Sequence, residues 1–359
     1  MNRRLILAVL GAAALVSMGL AAFALHERAA EGARHYTPAR FLPGFTDRVK
    51  DVASIHIESK SGTVEVTYSP KTGWVLPQRG GYPADFDTVR RTLIGLATLE
   101  TIAPKTARAD WLHFINLDAP PKGGGTRITV KDAKGQVLAD LITGNTEDIA
   151  DPSGNQGLFV RRPDETQSYL ARTVFVPHSD IASWLMTRPV EISAGRLKDV
   201  AVKPAKGPAF TVGRAKAGDP LYKVDPLPKG RNADPRKVNS IPFSLTTFSF
   251  DDVRPVGQVD FSKAAHLVAH TFDGLAVRFD VVSADGGIWA RVSAAADPGA
   301  APAVAAELRG INMRAARWAY KLPEEKGRPL LNDLEDMMLP KGASPIGAGM
   351  PGMPGRGGG

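Results

Sequence analysis

Residues 51–102 constrain this fold most, because their pattern returns about 150 positions later in the chain. Ile55 and Ile57 alternate with His56 and Glu58, and after Lys60-Ser61-Gly62 the residues Val64, Val66 and Tyr68 alternate with Glu65 and Thr67. A period of two on both sides of a short turn predicts a hairpin with one buried face. Pro70-Lys71-Thr72-Gly73 turns the chain into a third strand at Trp74-Val75-Leu76, with Trp74 expected in the core. Asp85 is placed to cap a helix. Phe86, Val89, Leu93, Leu96 and Ala97 then recur at helical spacing and should face the sheet, while Asp87, Arg90 and Arg91 face water.

In the second occurrence Asp199-Val200-Ala201-Val202 repeats Asp51-Val52-Ala53-Ser54, and Leu221-Tyr222 falls where Gly73-Trp74 stood. Asn232-Ala233-Asp234-Pro235 matches Pro83-Ala84-Asp85-Phe86, a cap followed by a first-turn proline. Pro242 is expected to end that second helix early. Val277-Arg278-Phe279-Asp280 and Gly287-Ile288-Trp289 sit about 150 positions beyond Arg127-Ile128-Thr129-Val130 and Val137. The fold class is therefore α+β: duplicated antiparallel-sheet units with packed helices, preceded by one transmembrane helix. Between these landmarks, residues 111–117 read as a short helix or turn over an edge. Residues 137–143, 157–162 and 167–171 read as strands, and 261–269 as a helix or loop. Residues 301–316 and 330–338 read as helices.

The transmembrane expectation rests on residues 5–25, an apolar run without a charge that spans about 30 Å as a helix. Arg3 and Arg4 hold the N-terminus cytoplasmic, which makes the protein single-pass in a bacterial inner membrane with its main domain periplasmic. The alternative is secretion after cleavage, for which Ala22-Phe23-Ala24 has the small-x-small form. The resulting plan is a cytoplasmic N-terminus 1–4, a transmembrane anchor 5–25 and a juxtamembrane stalk 26–48. A first α+β repeat 49–190, a second 191–340 and a disordered tail 341–359 follow.

The chain of 359 residues has room for two ordinary domains. Its formal charge of +8 is dispersed rather than gathered with a recognition element, so no nucleic-acid partner is expected. The absence of cysteine excludes disulfides, cysteine–zinc sites and cysteine nucleophiles. Glu147, Asp148 and Asp151 offer oxygen ligands of the kind calcium takes, but their spacing misses the EF-hand loop. His266 and His270, four apart, would share a helix face, yet two-histidine zinc chemistry needs a third ligand and no His-Glu-x-x-His is present. Glu324 and Glu325, and Asp333, Glu335 and Asp336, imitate paired carboxylates and read as solvated helix faces. Gly-x-Ser-x-Gly, Gly-x-Gly-x-x-Gly and a P-loop are absent. No catalytic, cofactor-binding or metal residue is assigned, and no cofactor is expected.

The order Gly73-Trp74-Val75-Leu76, Tyr82-Pro83-Ala84-Asp85 and the helix at 93–99 is followed by three later pieces. These are Phe272-Asp273-Gly274-Leu275, Gly287-Ile288-Trp289 and Arg317-Trp318-Ala319-Tyr320-Lys321-Leu322-Pro323. In this order, over residues 49–338, the chain resembles the DUF4340 domain family of bacterial membrane-associated proteins. The resemblance implies partnership with ABC-type export or gliding-associated systems and transfers no catalytic residue. With one apparent span and no Walker motif, the chain is neither a transporter nor its ATPase. The expected function is a membrane-anchored periplasmic scaffold or accessory subunit, with the inner membrane and an ABC-type transport or other envelope protein complex as partners. The alternative is a periplasmic ligand-binding module for glycan, lipid or peptide, with a hydrolase third.

Overall fold

The computed structural model describes residue 17 and residues 36–343. Two units divide the chain, Met1–Trp184 and Leu185–Gly359. In the first, β1 (Ala39–Arg40) is followed by the expected hairpin of β2 (Val52–Ser59) and β3 (Gly62–Ser69), with Ile55 opposite Val66 and Ile57 opposite Val64. All four of these side chains are buried, each contributing about 1.5–3 kcal/mol. After β4 (Gly73–Leu76) and β5 (Tyr82–Pro83) comes helix α1 (Phe86–Thr98). Asp85 caps it, its carboxylate accepting from the Thr88 amide at 2.8 Å and from the Thr88 hydroxyl at 2.7 Å. Val89, Leu93, Leu96 and Ala97 are buried as the periodicity requires, but Phe86 in the first turn is exposed. Gly95 leaves room for Phe175, whose ring lies 1.9 Å from where a Cβ would stand.

The first sheet is completed by β6 (Glu100–Pro104), β7 (Thr126–Asp132), β8 (Val137–Glu147), β9 (Gln156–Arg161) and β10 (Ser168–Thr173). Its order is β1-β6-β10-β9-β8-β7-β2-β3-β4-β5. Residues 36–48, expected in a stalk, belong to this unit: β1 pairs with β6, and Phe41, Leu42 and Phe45 are buried.

The second unit runs β11 (Leu197–Lys203), β12 (Phe210–Gly213), β13 (Lys223–Asp225), helix α2 (Pro235–Thr246), β14 (Asp252–Pro255) and β15 (Ala265–Thr271). Then follow β16 (Leu275–Ala284), β17 (Gly287–Ala296), helix α3 (Val304–Ala315) and β18 (Trp318–Leu322). The sheet order β13-β12-β11-β15-β16-β17-β18-β14 is that of β4-β3-β2-β7-β8-β9-β10-β6 in the first sheet. Local details follow the same plan. The register shifts between Val52 and Ser54 of β2 and between Leu197 and Asp199 of β11. Asp234 caps α2 through the Arg236 amide, 2.9 Å away. The amide of Asp85 donates to the Trp184 carbonyl, and that of Asp234 to the Met337 carbonyl, both at 2.8 Å.

Several expectations shift. The Asp-Val-Ala identity is out of step by three residues, since the shared register shift sets Ser54, not Ala53 or Asp51, against Asp199. Asp85 and Asp234 are 149 positions apart, but β7 opens at Thr126 and β15 at Ala265, only 139 apart. The chain after the second helix is shorter, so the strand equivalent to β7 is β15 and not Val277–Asp280. Helix α2 runs through Pro242, forgoing one backbone hydrogen bond, because Val238, Ile241 and Leu245 are buried on either side of it. Residues 265–269 are strand rather than helix, and 330–338 contains only short 3-10 turns.

The expected membrane-spanning helix is also corrected. Crossing a bilayer as a helix takes about 20 apolar residues. Among the described residues no helix is long and apolar enough to cross a membrane, and α1, the longest, has 13 residues. Residues 5–25 lie outside the described residues apart from Ser17, as does the tail from 344 onward. What stands is two antiparallel-sheet domains with packed helices. With no such helix among the described residues, the preceding transmembrane helix, the single-pass inner-membrane placement, the membrane-anchored scaffold and the partnership with an inner-membrane ABC-type or other envelope complex lose their basis.

Candidate functional site

The residues first singled out for chemistry do not converge. Asp151 is occupied by the Ser153 amide, the Asn155 side chain and Arg172, Asp148 by the Ala150 amide, and Glu147 lies 3.6 Å from Lys105. Among the described residues no group of three or more potential ligands is placed to hold a metal ion. Glu324 pairs with Arg328 and Glu335 with Arg231, while Asp333 and Asp336 each accept the other's amide. Trp74 is half-buried against Tyr68, ring centroids 5.3 Å apart, rather than within the core.

His266 and His270 lie on strand β15, not on a helix. Residues four apart on a strand share a face but stand about 13 Å from each other, so the two rings cannot bind one ion. Each takes its own carboxylate: His266 Nδ1 lies 2.5 Å from Asp280, and His270 Nδ1 lies 2.8 Å from Asp297.

His266 leads to the site that the sequence order conceals. On the core face of the second sheet Val200, Val202, Leu267, Phe279, Val281 and Val292 are buried. On the opposite face the register sets Lys203 beside His266, His266 beside Asp280, and Asp280 beside Arg291. One row of ionisable side chains thus crosses β11, β15, β16 and β17, with Arg278 two residues along β16 on the same face.

Asp280 is the hub, its side chain only 5% exposed. His266 Nδ1 at 2.5 Å and Arg278 Nε at 2.8 Å share Oδ1, and Arg291 Nε reaches Oδ2 at 2.7 Å. Burial pushes this carboxyl up, but the hydrogen bonds from His266, Arg291 and Arg278 outweigh it and hold the group below the usual carboxylate range. Asp280 accepts from the protonated Nδ1 of His266, which leaves Nε2 as the acceptor in the neutral ring. That Nδ1–H cannot also accept from Arg278 Nη2, 3.1 Å away. Both arginines are therefore anchored through Nε, with Nη donors to spare.

Arg291 borders an open cleft of about 770 Å³, walled by the segment that includes Gln258, Asp260, Phe261 and Ser262. Its guanidinium lies 5.0 Å from the centre of the Phe261 ring. Phe261 itself packs with Val259, Ala264, Val282, Trp289 and Ala319 in a small second core on this face. Asp260 is turned to its own loop, accepting from the Ser262 amide at 2.8 Å and hydroxyl at 3.0 Å. One buried carboxylate is thus surrounded by two arginines and a histidine, with the exposed Lys203 two strands away. The surplus is positive, and the spare donors are of the kind that bind carboxylate or phosphate oxygens in pairs. The legible signal was the pair Arg278 and Asp280 inside an otherwise apolar strand, which marks a polar face but not what lies across it.

Residues 74–270 match the model of a family described as Domain of unknown function (DUF4340), a span that begins in the first sheet and ends in the second. No curated protein and no solved structure matches the chain.

Proposed function

The chain belongs to the DUF4340 family, and from that premise we propose that it is a ligand-binding module for a glycan, lipid or peptide bearing an anionic group. The reading rests on one observation: buried Asp280 aligns His266, Arg278 and Arg291 beside an open cleft and leaves arginine donors unused. Pairing fixes the side chains before a ligand arrives, so less rotamer freedom is lost on binding. A secreted placement, with Ala22-Phe23-Ala24 as the cleavage form, accords with the absence of cysteine.

The test is titration of the full chain with glucuronate, a sugar with one carboxylate, followed by NMR of the arginine Nε–H and histidine signals. The expected outcome is saturable shifts at Arg278, Arg291 and His266 that are lost in the Arg291→Gln variant. Unchanged binding in that variant, or shifts confined to other regions, overturns the reading.

A further inference from the structure

The two sheets differ at their edges. In the first, β4 is covered by β5 and β6 by β1. The second sheet ends at the equivalents of β4 and β6, which are β13 and β14. By the spacing of the two caps, Arg231 and Asn232 stand where Tyr82 and Pro83 of β5 do, but they are drawn away from β13: Arg231 pairs with Glu335, and the Asn232 carbonyl accepts from the Leu339 amide. β14 protects itself. The Val256 amide donates to the Arg317 carbonyl, so alternation turns Val253 and Pro255 outward. The Asp252 carboxylate accepts the Val253 amide at 2.8 Å, and Pro255 has no amide. β13 has no such cover. The Arg214 amide donates to the Lys198 carbonyl, so Val212 and Phe210 bond to β11, while Gly213 and Thr211 bond to Lys223 and Asp225. Alternation then directs the amide and carbonyl of Val224 out of the sheet. Next to it, the Tyr222 amide is taken by the Asn239 side chain, and Pro226 has no amide.

We propose that β13 pairs with β13 of a second copy of this chain, antiparallel about a two-fold axis at Val224. With Val224 opposite Val224 of the partner subunit, each amide donates to the other's carbonyl, and these are the groups that alternation leaves outward. The same register sets Lys223 opposite Asp225 of the partner subunit, and Asp225 opposite the partner's Lys223. Both side chains are exposed, border one cleft of about 390 Å³ with Leu221, and have no ion-pair partner among the described residues. A lone edge lysine repels an incoming strand, but a lysine followed two residues later by an aspartate matches its own two-fold image. An in-register parallel copy would set lysine against lysine, so the charges select the antiparallel sense. Exposed Leu221 and Leu227 flank the strand, and the axis brings Leu221 to the end where Leu227 of the partner subunit lies. The interface is small, so the dimer should be weak, with a dissociation constant on the order of 100 μM.

Sedimentation equilibrium of the full chain, at concentrations on either side of that value, tests this with Lys223→Glu and Asp225→Lys. Wild type should dimerise, and less so as salt rises. Each variant alone turns both cross-strand pairs into like charges and should weaken the dimer about tenfold or more. Mixed in equal amounts, the two variants carry opposite charges at both pairs and should associate near the wild-type level. Both residues are exposed, so the variants should fold, and matching thermal unfolding verifies it. Wild type that stays monomeric up to about 1 mM overturns the proposal. Association unaltered in the single variants overturns it by placing the contact elsewhere, and so does a mixture that associates no better than its components. Neither residue belongs to the Asp280 row, so failure here leaves the anion-binding reading standing.

Discussion

The same row of the two sheets carries opposite solutions to one problem. Across β2, β7, β8 and β9 it reads Glu58, Arg127, Ile142, Arg161, and across β11, β15, β16 and β17 it reads Lys203, His266, Asp280, Arg291. In the first sheet both arginines of the row are answered internally. Arg127 clamps Asp140 with bonds of 2.9 and 2.7 Å, and Thr129 adds a third. Arg161 is buried and donates to the carbonyls of Leu117, Arg162, Pro163 and Glu165. Burial lowers its pKa, and the carbonyls supply the hydrogen bonds that water no longer can. Leu112 and Leu117 close over Ile142. The second sheet replaces the apolar Ile142 position with Asp280 and leaves its cations facing outward. An equivalent backbone thus serves as a sealed surface in one unit and an open charged one in the other.

The largest expected effect tests the sealed side. Arg161→Ala should cost about 4 kcal/mol, because several buried carbonyls lose their donor and a cavity remains. Arg291→Ala, at the equivalent but solvated position, should cost under about 1 kcal/mol while abolishing carboxylate binding. Denaturant unfolding and the glucuronate titration measure both. Similar stability losses would mean that the two arginines do the same work.

A middle-sized effect separates charge from packing at one row position. Asp280→Asn should cost about 2–3 kcal/mol at neutral pH, and Ile142→Ala about 2–4 kcal/mol. The pH dependence differs. The folded-state pKa of Asp280 is depressed, so its stabilisation is present above the unfolded value of about 3.9 and is lost as pH falls through the lower folded pKa. The cost of Asp280→Asn should therefore shrink in acid while that of Ile142→Ala persists. Urea unfolding across pH checks this, and a cost at Asp280 that ignores pH would remove the carboxylate from the centre of the cluster.

The smallest effect concerns support at the end of the second sheet. Arg196 bridges Asp273 and Glu307 of α3, with bonds of 2.8 Å to each. The Glu307 and Asp273 hydrogen bonds raise its pKa, and the pairing lowers that of Asp273, where the Thr271 hydroxyl contributes most. All three side chains are partly solvated, so Arg196→Ala should cost about 1 kcal/mol, with hydrogen exchange rising first in α3. Exchange unchanged in α3 would show the bridge to be ornamental.

Much of this architecture was legible because it is local. Alternation at Ile55, Ile57, Val64 and Val66 marks strands within a few residues, and Asp85 and Asp234 mark helix starts by chemistry confined to one turn. Arg214, just past β12, lies over the Tyr222 ring as Tyr68 lies against Trp74 in the first unit. Pro242 does not end its helix, because the local rule is outweighed by burial of Val238, Ile241 and Leu245. The Asp-Val-Ala identity misled because short matches carry no information about register.

Periodicity and capping therefore belong to the chain: they arise from steric and hydrogen-bonding preferences of neighbouring residues, and they set the strands, the helices and the recurrence of one plan. The row does not. Lys203, His266, Asp280 and Arg291 are far apart in sequence and meet only because pairing places them on adjacent strands in one register. A one-residue slip in any strand would turn its member of the row toward the core. Their association, the depressed pKa of Asp280 and the cationic face that follows are properties of the packed sheet alone.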